Sequence, residues 1–165
     1  DPFNPLVQAL RAVVLMSRHQ FDEAIELYRN ILRTVPNHPV AIVGLRHAFF
    51  HKGMYQESIE AAKAHHTAWG QPEAVKALDR GYAEGGFTGA MTRSAEWWVA
   101  NFPATHYGAP SYIMAGKKQE ALDRLEVGFE QHDPNMPYLS ADPLYDSLRN
   151  EPRFQDLLRR MNLPE

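Results

Sequence analysis

The sequence predicts an all-α fold: an antiparallel helix-pair solenoid of about four repeats, closed by C-terminal capping helices. Three observations carry this. Phe21-Asp22-Glu23-Ala24-Ile25-Glu26 returns 34 residues later as Tyr55-Gln56-Glu57-Ser58-Ile59-Glu60. Apolar residues recur three and four apart over most of the chain, and no stretch alternates with period two over the length of a strand. A period of 34 is one helix-turn-helix unit, which cannot bury its apolar face alone and stacks on its neighbours; such arrays bind rather than catalyse. The expectation is one domain over residues 1–165, with repeats over 5–38, 39–72, 73–101 and 102–134 and caps within 141–162.

Each element has its own justification. Leu6, Val7, Leu10, Val13, Val14 and Ser17 fall at helical spacing and predict a helix from Pro5 to Arg18, with His19-Gln20 as its turn. From Phe21, acidic Asp22 and Glu23 open a second helix with Ala24, Ile25, Tyr28, Ile31 and Leu32 on one face, ending before Pro36 and Pro39. Val40 to Lys52 is a helix stopped by Gly53, where a left-handed residue costs least, and Tyr55 to Ala68 is its partner. Gly70-Gln71-Pro72 separates that pair from a helix over Glu73 to Glu84, and Gly85-Gly86 turns the chain into a helix over Phe87 to Ala100. In the next unit Pro110 removes an amide donor, so the helix over Thr105 to Ala115 is expected to be kinked or delayed. Lys118 to Gln131 follows the turn at Gly116. Asp142 before Pro143, and Asn150 or Glu151 before Pro152, mark two short final helices.

Composition narrows the function classes. The chain has 165 residues, 44% apolar and 22% charged, with a net charge of −3 and a pI near 6.3, so neither nucleic acid nor an anionic membrane is favoured. The longest apolar run, Ala12 to Met16, is far too short to span a bilayer. With no cysteine there are no disulfides, thiolate zinc sites or cysteine nucleophiles. Asp1-Pro2 matches Val35-Pro36 one period on, which gives the expectation that another repeat precedes the chain.

The register Ala12, Phe21, Ala24, Tyr28, Pro36 and its second copy Leu45, Phe49, Gly53, Tyr55, Ser58, Ile59 resembles the tetratricopeptide repeat. In that family small residues interlock the helices, an aromatic opens the second helix and Pro ends the unit. His19 stands where the family has Gly, and Ser58 and Gly70 where it has Ala and Pro. Later copies keep Gly85, Phe87, Ala90 and then Ala109, Tyr112, Gly116, Ala121, a few residues short of the period. The tail, with Gln131-His132-Asp133-Pro134, Ala141 to Leu148 and Glu151 to Met161, resembles the C-terminal repeat segment of bacterial multidomain signalling proteins. That resemblance implies a repeat module and names no ligand; the compartment stays open, with a bacterial cytoplasm slightly favoured over a periplasm.

By the same resemblance the inner wall of the array is a face of each leading helix: Leu6, Ala9, Leu10, Val13 and Met16, then Val40, Val43, His47, Phe50 and His51. This wall is a groove for an apolar peptide or helix; alternatively, the first helix packs on a preceding repeat or drives self-association. Chaperone-binding relatives read a carboxylate through places that correspond to Ala9, Val13, Gly44, Pro72 and Lys76; with one cation among them, that clamp is missing. His47 and His51 are four apart, but no third ligand and no adjacent Glu accompany them, so they read as groove-wall or surface histidines, as do His65 and His66. Gly81, Gly85, Gly86 and Gly89 read as turn and close packing rather than a phosphate loop. One of Trp97 and Trp98 belongs in the core. Arg149, Arg153, Arg159 and Arg160, interleaved with Glu151 and Asp156, read as a capping face.

The functional expectation is a non-catalytic scaffold that binds a protein or peptide through Leu10, Val13, Val43, His47, Phe50 and His51, with no cofactor and no metal. The alternative is a structural spacer, or a homodimerisation module acting through the N-terminal helix for an upstream effector domain.

Overall fold

The computed structural model describes residues 4–164, so the Asp1-Pro2 junction lies outside the described residues. Every regular element among them is helical, and they form two compact units, Asp1–Lys76 and Ala77–Glu165.

The first unit is two helical hairpins in series: α1 (Pro5–Ser17) with α2 (Phe21–Thr34), and α3 (Pro39–His51) with α4 (Tyr55–Ala68). α1 starts where Asn4 Oδ1 accepts the Leu6 N–H at 2.9 Å and Pro5 fills a position whose missing donor costs nothing. α3 starts the same way, with His38 Nδ1 accepting the Ala41 N–H and Pro39 opening the helix. The 34-residue period is thus present in the backbone: α1 and α3 have 13 residues each, α2 and α4 have 14, and all starts are offset by one period. The turns match as well, at His19 (φ 57°) and Gly53 (φ 70°). A non-glycine residue in the left-handed region costs about 1 kcal/mol, which the hairpin absorbs at His19. The core joins all four helices, with Ala9, Ala12 and Met16 of α1, Ala24, Ile25, Tyr28 and Ile31 of α2, and Leu45, Ala48 and Phe49 of α3 in one cluster that also takes in Ala61 of α4.

α5 (Pro72–Asn101) begins in the first unit and runs on into the second, where Gly85 (φ −157°) and Gly86 (φ 60°) break it into two arms. The arms cross at Gly81 and Gly89, where a Cβ on either residue would land on the backbone of the other. The four glycines are therefore a turn and a close crossing. α6 (Gly108–Met114) starts three residues after the expected Thr105, which puts Pro110 in the first turn, where an amide donor has no helical partner to lose. Gly116 (φ 75°) reverses the chain into α7 (Lys118–Glu130).

Past α7 the chain forms a 3₁₀ turn at Met136–Tyr138, which the sequence did not signal, then a second 3₁₀ segment at Pro143–Leu148 whose first turn Asp142 caps, and α8 (Pro152–Arg160). α8 buries Phe154, Leu157 and Leu158. It is tied to α7 by Arg153–Asp123 and Arg160–Glu126, both at 2.9 Å, with Arg160 also lying 4.3 Å from the centre of the Phe129 ring. Arg149 binds Asp146 and the Ser140 carbonyl. These arginines hold the cap in place. Trp98 is buried and Trp97 half-buried.

Because the Gly81–Gly89 crossing has no room for a methyl group against backbone, Gly81→Ala should destabilise the protein by about 1–3 kcal/mol. Urea unfolding checks this; an unchanged midpoint would show that the arms can separate without cost.

Candidate functional site

α1 buries one stripe and exposes another. Ala9, Ala12 and Met16 face the core, while Leu6 (53% exposed), Val7, Leu10 (54%), Val13 (40%) and Val14 lie on the adjoining arc in solvent. Both stripes follow from spacings of three and four residues, so α1 is apolar around more of its circumference than its neighbours cover. The five exposed side chains leave on the order of 400 Å² of apolar surface, the size of the largest patch on a typical monomer. Arg11 and Arg18, both exposed and one helical repeat apart, border this face and flank a shallow recess of about 270 Å³ floored by Val14 and Leu15.

The residues expected to contact a partner separate into two groups. Leu10 and Val13 are on the exposed face of α1, and Val43 is exposed on α3. His47, Phe50 and His51 are not displayed in the same way. α3 packs against α1, α2 and α4, so within the helix only Pro39 and Val43 are exposed, Val43 at 36%. His47 is 7% exposed, in the core of the unit rather than on a groove wall. The His51 ring stacks on Phe21 at 4.7 Å and 4° between planes, beside the Lys52–Asp22 ion pair at 2.9 Å, so it fastens the second hairpin to the first. Phe50 is half-buried against His51 and Tyr55. Ala9 and Met16, expected on the same wall, are core residues for the same reason: the face of α1 that carries them meets α2 and α3.

A second correction concerns His66. His66 is 1% exposed, its Nδ1 2.8 Å from Gln71 Oε1, and not a surface histidine. Arg46 is buried beside it, and Ser58 Oγ–H donates to the Arg46 carbonyl at 3.0 Å. Burial lowers the guanidinium pKa to about 10. Burial, and then repulsion from Arg46, brings His65 down to about 4. His66 reaches about 4 by burial, opposed by its hydrogen bond to Gln71 and assisted by Arg46 and His65. The sign available in the sequence was Arg46 itself, four residues after Ile42 and three before Phe49, inside an apolar helical stripe.

In the second unit His106 and Asp133 form a buried pair, Nδ1–H donating to Oδ2 at 2.7 Å. Burial alone would raise the Asp133 pKa, but the bonds from the His106 ring, the Asn135 N–H and the His106 N–H bring it to about 2. With both oxygens occupied, this carboxylate fastens the loop before α6 to the turn after α7. Arg124 reinforces the same loop by donating to the Pro103 and Thr105 carbonyls. Tyr145, fully buried, has its pKa pushed well above the usual value by desolvation and by the charges of Asp142 and Asp133.

Among the described residues no group of three or more His, Asp or Glu side chains is arranged to hold a metal ion, and no helix is long and apolar enough to cross a membrane. No family model, curated protein or solved structure matches the chain.

The perturbed groups set the acid response. His65 and His66 hold protons less readily folded than unfolded, so their contribution is complete above pH 6.5 and declines toward pH 4. Asp133 contributes fully above its unfolded pKa of 3.8 and loses that contribution toward pH 2. Thermal melts from pH 7 to pH 2 should fall in these two stages, with His65→Asn reducing the first and Asp133→Asn the second. A midpoint that is flat between pH 7 and pH 4.5 would contradict the burial of the histidines.

Proposed function

We propose that the chain is a non-catalytic protein-interaction module of the tetratricopeptide type, which engages a protein segment through its leading-helix face, centred on α1. The exposed apolar stripe of α1 is the observation that carries this reading, because covering each half-exposed Leu or Val there is worth about 1 kcal/mol, roughly half the value for a fully exposed side chain. The repeat assignment is supported by the shared helix lengths and offsets of the first two hairpins, by fully buried Ala12, Ala24 and Ser58 at the interlocking places, and by Gly44 admitting the Tyr28 ring. The absence of an enzymatic role is supported by the use of the His106–Asp133 pair as a loop fastener. The larger surface recess, about 630 Å³, is lined by Glu26, Arg29, Asn30, Leu32 and Arg33 of α2 alone.

The same stripe favours a second reading, a dimerisation module or spacer for an upstream domain. Light scattering over a concentration series, run on the wild type and Val13→Asp, separates the two. A binding module stays monomeric in both forms, and photo-cross-linking from position 14 captures a partner with the wild type but not the variant. A dimer that Val13→Asp dissociates establishes the second reading. Since Val13 is exposed, the substitution should shift the melting temperature by no more than about 2 °C.

A further inference from the structure

Carboxylates are segregated between the helices of the first two hairpins, whereas Arg29, Arg33 and Lys63 share α2 and α4 with them. The carboxylates of these hairpins, Asp22, Glu23, Glu26, Glu57 and Glu60, all belong to the returning helices α2 and α4. The leading helices α1 and α3 contain none, and α1 adds Arg11, with Arg18 at its C-cap. None of the ion pairs among the described residues engages Arg11 or Arg18. The apolar stripe is therefore bordered by two solvated guanidiniums seven residues apart, about 10.5 Å along the axis, on one edge. In register with them, Val7 and Val14 lie on the same side of the stripe.

We infer that the occupant of this face is an amphipathic helix of a partner protein, with its apolar stripe on Leu6, Leu10 and Val13 and acidic side chains on one flank that pair with Arg11 and Arg18. This deepens the binding-module reading and rests on it. Two observations favour such a partner over a second copy of the chain. An antiparallel α1–α1 pair would set Arg11 against Arg11 with no carboxylate on either helix, and like charges across an interface suppress pairing. The stripe also offers about half of the roughly 800 Å² per partner that a stable interface buries, an amount suited to one docked helix.

The test is fluorescence anisotropy with three labelled synthetic helical peptides of about 18 residues, long enough to lie along α1. The first has leucines three and four apart and two glutamates seven apart on one flank; the second replaces those glutamates by lysine; the third scrambles the first. The glutamate peptide should bind in the micromolar range and roughly tenfold more tightly than the lysine peptide, a preference that shrinks at 0.5 M salt, where the Debye length falls to about 4 Å. Val13→Asp should abolish binding of both. Arg11→Glu combined with Arg18→Glu, both on exposed positions, should reverse the preference in favour of the lysine peptide. Equal affinity for the two, lost in Val13→Asp, would overturn the acidic-partner inference and leave the binding-module reading standing. No binding of either peptide, or a chain that is dimeric until Val13→Asp is introduced, would overturn both. Binding of the scrambled peptide as tight as the first would overturn the helical register.

Discussion

Close approach between helices, made possible by residues with little or no side chain, is the constraint on which the rest of this structure depends. Ala9, Ala12 and Ala24 are fully buried where α1 meets α2, and the Tyr28 ring of α2 occupies the space that a Cβ on Gly44 of α3 would need. In the second unit Gly81 and Gly89 allow two backbones to touch, and Gly128 gives way to Met136 and His106. Close approach lets α3 be covered on three sides by α1, α2 and α4. It also determines which apolar residues are left over. α3, flanked by α1, α2 and α4, has almost nothing left to display, whereas α1 keeps an entire arc in solvent.

The same geometry distributes polar groups unequally. Arg46 and His66 lie in positions that the packing of α3 and α4 closes to water, so their charged forms are penalised, and Ser58 fits there as a small residue that also binds the Arg46 carbonyl. In the first two hairpins the carboxylates stay on α2 and α4, from which Asp22 reaches across to Lys52 at the end of α3. There α1 and α3 are therefore free of carboxylates, while α2 and α4 carry both acids and the cations Arg29, Arg33 and Lys63. In the second unit the irregular tail is held by burial of Met136, Leu139, Leu144, Leu148, Phe154, Leu157 and Leu158, and the Asp133 hydrogen bonds and exposed ion pairs to α7 add to it.

Much of the fold was legible from local signals. Helix starts at Pro5, Phe21, Tyr55, Lys118 and Pro152 and turns at Gly53, Gly86 and Gly116 depend on caps, prolines and residues that tolerate positive φ, and these act within a few positions of themselves. The later start of α6 and the 3₁₀ turn at Met136–Tyr138 were less legible. The first follows from where a proline can sit in a first turn; the second follows Asp133, whose carboxylate accepts from the Asn135 N–H and from His106, 27 positions away.

By itself, the amino-acid sequence determined the helical class, the 34-residue period, the boundaries of the first two hairpins and the presence of an apolar, acid-free leading helix, because each is a matter of spacing or local backbone chemistry. Which side chains of that helix face a neighbour and which face water was decided only by tertiary structure. So were the inward turn of His47, the stacking of His51 on Phe21 and the burial of Arg46 beside His66. Periodicity marks a face as apolar; only the number of helices packed around it determines whether that face becomes core or surface.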